Sequence, residues 1–183
     1  GPLPGGFDYV PFGDIEAIKA KINDKTCAVM LEAIQGEDGV HVPEPNYLKE
    51  VKALCEKHDA LLIIDEIQAG MGRTGKFFGY EHFGIQPDIV TLAKGLAGGV
   101  PIGAFLSTAK LADTFHAGDH GSTFGGNPLA CAGANAVLTA ITTEHLMDNA
   151  AAVGNYLLDQ LKTLQQKYPT LITDVRGKGL MVG

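Results

Sequence analysis

Two continuous apolar runs of strand length, separated by an amphipathic helix, constrain this chain most strongly. The runs are Thr26–Leu31 and Leu61–Asp65, and Tyr47–Asp59 between them has an apolar and a charged helical face. Strands that are apolar on both faces are typical of sheets covered by helices on both sides. A strand, a helix and a second strand form a parallel unit. The sequence therefore predicts an α/β fold with a mainly parallel sheet.

The pattern continues with two more strands and then becomes helical. The segments Ile89–Leu92 and Ile102–Leu106 have the composition of strands. Asn127-Pro128 is a good helix start, and it predicts one helix to Thr143 and a second from Glu144 to Tyr168. We expect a short strand at Leu171–Val175 after these helices.

Composition excludes several classes of protein. Glycine makes up 24 of the 183 residues, about twice the usual share of ~7%, without repetition, which indicates tight turns and close backbone approach to a ligand. The net charge of −7 gives no overall attraction to nucleic acid, and the longest apolar run is far shorter than a membrane span. Three widely spaced cysteines indicate a reducing compartment, so we expect a cytoplasmic protein that binds neither nucleic acid nor membrane.

Polar residues follow the predicted strand at Leu61–Asp65. Asp65-Glu66 is followed by Gln68, Gly70 and Gly72, and ligands of open α/β sheets bind at the carboxyl ends of strands. A helix cap or a structural ion pair explains Asp65 about as well. A magnesium site at Asp65-Glu66 is a further alternative, although no phosphate-binding Gly-Lys-Ser/Thr loop precedes it.

Lys94 is the most informative single residue. It follows the strand Ile89–Leu92 and precedes the glycine-rich segment 95–99. Most lysines are solvated surface groups, but this one has only apolar residues and glycines beside it. Desolvation in such a pocket favours the neutral amine, which is a nucleophile able to form a Schiff base.

The segment 120–128 combines glycines, two hydroxyls and a predicted helix start. Free N–H groups and the helix dipole favour anions there, although a glycine-rich turn capped by Asn127 explains part of the pattern. Glu32 and Glu37 lie near the end of the first strand, where they could order a loop or face a cationic substrate. Carboxylates, a lysine and an anion cradle together indicate a cofactor with an amine-reactive carbonyl and a phosphate.

Several motifs in this order resemble the class III pyridoxal-phosphate aminotransferases of fold type I, and among them most closely the acetylornithine aminotransferases. The resemblance spans essentially the whole chain. Its motifs are Asp65-Glu66-Ile67-Gln68, Gly72-Arg73-Thr74-Gly75, Pro87-Asp88-Ile89, Ala93-Lys94-Gly95 and Gly121-Ser122-Thr123-Phe124-Gly125-Gly126-Asn127-Pro128-Leu129-Ala130.

The resemblance implies roles for the residues that follow two strands. Lys94 is expected to form the Schiff base with pyridoxal 5'-phosphate and to carry the proton between substrate and cofactor. Asp65 is expected to pair with the protonated pyridine nitrogen, which keeps the ring an electron sink. Gln68 is expected to contact the 3-oxygen of the ring. Glu66 and Ile67 belong to the same cofactor-binding segment.

The resemblance also implies a homodimer with a shared site. Thr123 is expected to bind the cofactor phosphate of the partner subunit, and Ser122 to lie beside the substrate. Glu37 matches a glutamate that related ω-aminotransferases place near a substrate-carboxylate arginine. We therefore expect small-molecule partners, namely an amino donor and 2-oxoglutarate.

The implied reaction transfers the terminal amino group of N-acetylornithine to 2-oxoglutarate in arginine biosynthesis. Ornithine, succinyldiaminopimelate and 4-aminobutyrate aminotransferases are alternatives within the class, and an internal aminomutase fits the motifs less well. An alternative of another class is a non-catalytic fragment that acts only in binding or dimerisation.

We interpret the chain as the central part of such an enzyme. Residues 1–143 are expected to belong to the large cofactor-binding domain, and residues 144–175 to a connecting helix and strand. Residues 176–183 are expected to begin the carboxyl-terminal small domain. The family's amino-terminal phosphate segment, its ring-stacking aromatic residue and its carboxylate-binding arginine have no counterpart in this sequence.

Overall fold

The computed structural model describes residues 4–183 as an α/β arrangement. The helices are α1 (Ile15–Lys21), α2 (Tyr47–Lys57), α3 (Pro128–Thr143) and α4 (Leu146–Lys167). The strands are β1 (Ala28–Glu32), β2 (Leu61–Asp65), β3 (Ile89–Leu92), β4 (Ala104–Ser107), β5 (Gly177–Lys178) and β6 (Met181–Val182). Short 3₁₀ turns at Gly79–Phe83, Lys94–Ala97 and Ala109–Leu111 lie in the connections.

Strands β1 to β4 form one sheet in chain order. The β1–β2 and β2–β3 pairs are parallel, which confirms the mainly parallel sheet, and β4 runs antiparallel at the edge. Strands β2 and β3 have the predicted bounds. Strand β4 begins two residues later than predicted, at Ala104, after Pro101 and Gly103.

Helices pack on one face of this sheet, although Leu106 of the edge strand β4 stays 49% exposed on that face. The buried side chains of α2, among them Leu48 and Val51, belong to the same apolar core as Leu62 and Ile64 of β2. The opposite face differs from the prediction of a sheet covered on both sides, because within residues 4–183 it stays partly open: Met30 is 59% exposed and Phe105 is 47% exposed.

The carboxyl-terminal part begins where its capping residues predict. The Asn127 side chain accepts a hydrogen bond from the Ala130 N–H at 3.0 Å, and Pro128 is the first residue of α3. The strand predicted at Leu171–Val175 is wrong, because this segment follows a turn after α4 and forms no ladder. The hairpin β5–β6 packs beside α4 instead, and the Leu180 N–H donates to the Arg73 carbonyl at 3.0 Å. Among residues 4–183, no helix combines the length and the apolar character needed to cross a membrane.

Glu66 is a buried carboxylate that closes the long connection after β2. Its Oε2 accepts the Gly79 N–H at 2.8 Å and its Oε1 accepts the Tyr80 N–H at 2.9 Å. The side chain is 1% exposed, and burial raises the pKa of Glu66 to about 7 even though both N–H groups lower it. This carboxylate ties the two ends of the loop 67–78 together.

Replacement of Glu66 by Gln is expected to change how stability depends on pH. Because the pKa of Glu66 is about 7 in the folded chain and 4.5 is its ordinary value, the folded chain binds the proton more tightly between these pH values. Its free energy of unfolding therefore falls as the pH rises through this window, by roughly 3 kcal/mol at ~1.36 kcal/mol per pKa unit. Glu66→Gln has no titrating group at this position, so its free energy of unfolding does not fall in this way.

Chemical denaturation at pH 5 and at pH 8 measures the effect. The stability of the wild type minus that of Glu66→Gln is expected to shrink by roughly 2 to 3 kcal/mol between pH 5 and pH 8. Glu81→Gln, which changes an exposed neighbouring carboxylate, is the control. A stability difference that is equal at both pH values contradicts the assignment.

Candidate functional site

Parallel pairing places a row of polar side chains at the carboxyl ends of three strands. Glu32 of β1 is in register with Asp65 of β2, and Asp65 is in register with Thr91 of β3. The Asp65 Oδ1 accepts the Ile67 N–H at 2.9 Å, which turns the chain away from the strand. The Thr91 hydroxyl is buried and has no hydrogen-bond partner within residues 4–183. This edge therefore carries acidic groups, with an unpaired hydroxyl buried beneath them.

Lys94 lies two residues beyond the end of β3, next to this row. Its φ of +44° is in the left-handed region, which non-glycine residues rarely adopt and which is concentrated at functional sites. Leu96 and Ala97 of the same 3₁₀ turn are buried and fix it to the core. Within residues 4–183 the Lys94 side chain is exposed, because its neighbours Ala93 and Gly95 are too small to cover it.

Gln68 and Glu37 come together from separate loops. The Gln68 Nε2 donates to the Glu37 Oε1 at 3.2 Å. Gly36 lies directly over the Gln68 side chain, where a Cβ atom would approach the amide to 2.6 Å, so a larger residue at this position would displace the Gln68 side chain. The turn after β1 therefore packs on the residue that is expected to contact the cofactor ring.

Glu32 orders this turn, which is one of the two roles that the sequence suggested for it. Its Oε2 accepts the Gly36 N–H at 2.9 Å. Burial raises the pKa of Glu32, and the negative charges of Asp65 and Glu37 add to the rise, while the Gly36 N–H and Lys94 oppose it. The site thus places three carboxylates close to one lysine.

A cavity of about 400 Å³ opens beside Lys94. Its walls are mostly apolar or glycine, with Gln68, Arg73 and Lys94 as the polar exceptions. The lining residues are Ile67, Gln68, Gly70, Met71, Arg73, Lys94, Gly95, Val137, Ile141, Leu180 and Met181. Asp65 does not line the cavity. Lys94 and Gln68 line it and also lie next to the row of polar side chains formed by Glu32, Asp65 and Thr91.

The structure does not bring Glu66 into the site. Its carboxylate points to the backbone of Gly79 and Tyr80, whereas Asp65 bonds to Ile67. The two acids therefore do not converge as a magnesium pair requires. Within the described part of the chain, no group of three or more His, Cys, Asp or Glu side chains is placed to hold a metal ion.

Ser122 and Thr123 lie apart from this cluster. Both are exposed on the loop before α3, and Asn127 caps the helix that follows. Among the hydrogen bonds of residues 4–183, none joins Ser122 or Thr123 to Asp65, Gln68 or Lys94.

Two residues of this region were not found from the sequence. Thr91 could have been found as a polar residue one position before the end of the predicted strand Ile89–Leu92, next to the strand that ends in Asp65. Arg176 donates hydrogen bonds to the backbone of the turn that carries Glu37, and no local pattern signals a contact across 136 residues.

Comparison with known proteins shows the family. The family model "Aminotransferase class-III" matches residues 11–183. The chain is similar to the acetylornithine aminotransferase of Caldanaerobacter subterraneus subsp. tengcongensis, with 53% identity over 100% of this chain and 46% of that protein. The acetylornithine aminotransferase of Methanocaldococcus jannaschii is 52% identical over the same shares. The chain thus spans about half the length of these relatives.

Solved structures agree with this comparison. The ornithine aminotransferase of Toxoplasma gondii superposes with a TM-score of 0.95 at 42% identity, covering 100% of this chain and 44% of that one. The acetylornithine aminotransferase of Elizabethkingia anophelis superposes with a TM-score of 0.93 at 44% identity, covering 99% and 46%. The matching sequence, the fold and the polar strand ends lead to one conclusion: this chain belongs to the class III aminotransferases.

Proposed function

We propose that the protein transfers the terminal amino group of N-acetylornithine to 2-oxoglutarate with pyridoxal 5'-phosphate as cofactor. The observation that carries the proposal is the placement of an amine, a carboxylate and an amide, Lys94, Asp65 and Gln68, at adjacent strand ends. Relatives of about half identity that are named acetylornithine aminotransferase support this amino donor.

The residues at the strand ends suit this cofactor. Asp65 offers a carboxylate to a protonated ring nitrogen, and Gln68 offers an amide to a ring oxygen. The unpaired buried hydroxyl of Thr91 shows that this edge has unused hydrogen-bonding capacity. Ile67, which lines the cavity, offers apolar contact to a flat ring. When bound, pyridoxal phosphate supplies an aldehyde that reacts with amines and a ring that withdraws electrons.

The chain's own residues supply binding, charge and proton transfer. Lys94 holds its amine near the end of β3, where Nζ could receive the proton from the carbon that bears the substrate amine and deliver it to the cofactor. The Asp65 Oδ1 accepts the Ile67 N–H at 2.9 Å, which fixes the carboxyl group at the strand end. Glu37 orients the Gln68 amide through the 3.2 Å hydrogen bond.

Over one catalytic cycle, the amine of N-acetylornithine and the carbonyl oxygen of 2-oxoglutarate change places. The products are N-acetylglutamate semialdehyde and glutamate. We assign this reaction to the whole protein, with residues 1–143 in the cofactor-binding domain, 144–175 as a connection and 176–183 at the start of a small domain. We further propose that it works in the cytoplasm.

Ornithine is the second candidate for the amino donor. The Toxoplasma gondii ornithine aminotransferase superposes at least as closely as the acetylornithine aminotransferase from Elizabethkingia anophelis. The two amines differ in the charge of the α-amino group, which acetylation removes. Rates with each amine under equal conditions separate these candidates.

We also propose a homodimer in which Thr123 binds the cofactor phosphate in the partner's site, with Ser122 beside the substrate. Exposed aromatic side chains near this loop support an interface. Phe124 is 80% exposed, and Phe115, itself 54% exposed, packs on Phe105 with ring centroids 5.7 Å apart. Exposed apolar clusters of this kind mark interaction surfaces.

Lys94→Ala is expected to abolish the visible absorption of bound cofactor and to lower kcat by about 10²–10⁴-fold or more, because both the nucleophile and the proton carrier are lost. Absorption spectra and rates with N-acetylornithine, ornithine and 4-aminobutyrate are measured on protein produced from the complete coding sequence. Lys76→Ala removes an exposed lysine of the loop after β2 and is the matched control. Cofactor colour and turnover that persist in Lys94→Ala contradict the assignment, and a wild type without either favours a binding or dimerisation role.

Mixed dimers test the shared site. Lys94→Ala removes the amine from a subunit's own site, whereas Thr123→Asp places a negative charge at the partner's phosphate. Co-expression of the two variants with different tags is expected to restore about a quarter of wild-type activity, since about half of the dimers are hybrids with one intact site. Hybrid dimers isolated through both tags that are no more active than the two parent variants contradict a site built from both subunits.

A further inference from the structure

The turn that carries Glu37 adopts an unusual backbone conformation. Three consecutive residues, Asp38, Gly39 and Val40, have φ values of 61°, 102° and 61°. The left-handed region is rare for any residue with a side chain and is an outlier for a β-branched residue such as Val40. Such conformations persist only where the surroundings impose them.

One side of this turn packs on the candidate site. Gln35 and His41 close its base through two backbone hydrogen bonds of 2.9 Å. Above this base, Gly36 contacts the Gln68 side chain and Glu37 accepts its amide hydrogen. The position of the turn therefore decides the position of Gln68.

Arg176 holds the other side. Its Nε donates to the Val40 carbonyl at 2.7 Å, and its Nη2 donates to the Gly39 carbonyl. Its Nη1 donates to Asp174 at 2.6 Å, so all three guanidinium nitrogens are used. The planar fork of arginine can reach two successive carbonyls at once, whereas the single ammonium of lysine has no such fixed geometry.

The backbone around Arg176 is fixed as well. Arg176 and Gly183 exchange two backbone hydrogen bonds of 3.0 Å across the β5–β6 hairpin. Gly183 lies so close to the Gly39 carbonyl that no Cβ atom fits between them. The carboxyl-terminal segment 176–183 thus reaches the site through the turn at 36–41.

We propose that Arg176 is a positioning residue: it clamps the strained turn 36–41 and so keeps Glu37 hydrogen-bonded to Gln68. The kinetic part of this inference rests on the proposed transamination, while the structural part does not. Removal of the clamp releases the turn, and Gln68 loses its partner without any change in Asp65 or Lys94.

Amide hydrogen exchange on protein produced from the complete coding sequence tests the clamp without reference to activity. Arg176→Ala is expected to speed exchange at the Gln35 and His41 amides about 10-fold or more, with a smaller effect for Arg176→Lys. Strand β2 is expected to exchange as in the wild type. Asp174→Asn, which removes the ion pair and keeps the clamp, is the control. Unchanged exchange at the Gln35 and His41 amides, or an equal increase in β2, overturns the clamp.

A double-mutant cycle tests whether Arg176 acts through Glu37. We expect Arg176→Ala to lower kcat/KM about 10-fold in the wild type and less than about twofold in a Glu37→Ala background, because coupled residues are not additive. Equal losses in both backgrounds overturn the coupling. A wild type without aminotransferase activity overturns the proposed function instead, and hydrogen exchange still decides the clamp.

Discussion

The parallel, in-register pairing of β1 with β2 is the constraint on which the rest of this structure depends. It sets Glu32 beside Asp65, and the next pair sets Asp65 beside Thr91. Because all three strands end at the same edge, Lys94 and Gln68 enter one region as soon as the chain leaves the sheet. The chemistry proposed for the chain needs an amine and a carboxylate in one site, and the strand register brings Lys94 and Asp65 to the same edge of the sheet.

This edge can work as a site only if two loops keep a fixed conformation. One charged side chain holds each loop in place through hydrogen bonds. Glu66 binds the two ends of the loop that carries Gln68, and Arg176 binds the turn that carries Glu37. Both use backbone groups as partners, so they fix chain paths instead of individual side chains. A buried carboxylate such as Glu66 is costly unless it is hydrogen-bonded, and both of its hydrogen bonds go to the backbone at the end of the loop that it orders.

The sequence was informative where local physics decides the outcome. The apolar run Leu61–Asp65 and the Asn127-Pro128 helix start depend only on neighbours, and both are found as predicted. The Glu66 side chain lies in the core and binds the backbone of Gly79 and Tyr80, and the sequence does not indicate these partners because they are thirteen residues or more away. The link from Arg176 to Val40 depends on how distant segments pack, which no periodicity reveals. Lys94 is exposed because its neighbours are small. Whether a residue with small neighbours is buried depends on which distant segments cover it, and the local sequence does not show this.

The most direct test of the central claim is to fix the cofactor to the chain chemically. Pyridoxal phosphate is added to the protein, borohydride is used to make its bond to an amine permanent, and the modified peptide is identified by mass spectrometry. The label is expected on Lys94. Excess N-acetylornithine, added before the borohydride, is expected to prevent most of the labelling. A label on another lysine, or spread evenly over the surface lysines, would contradict the account.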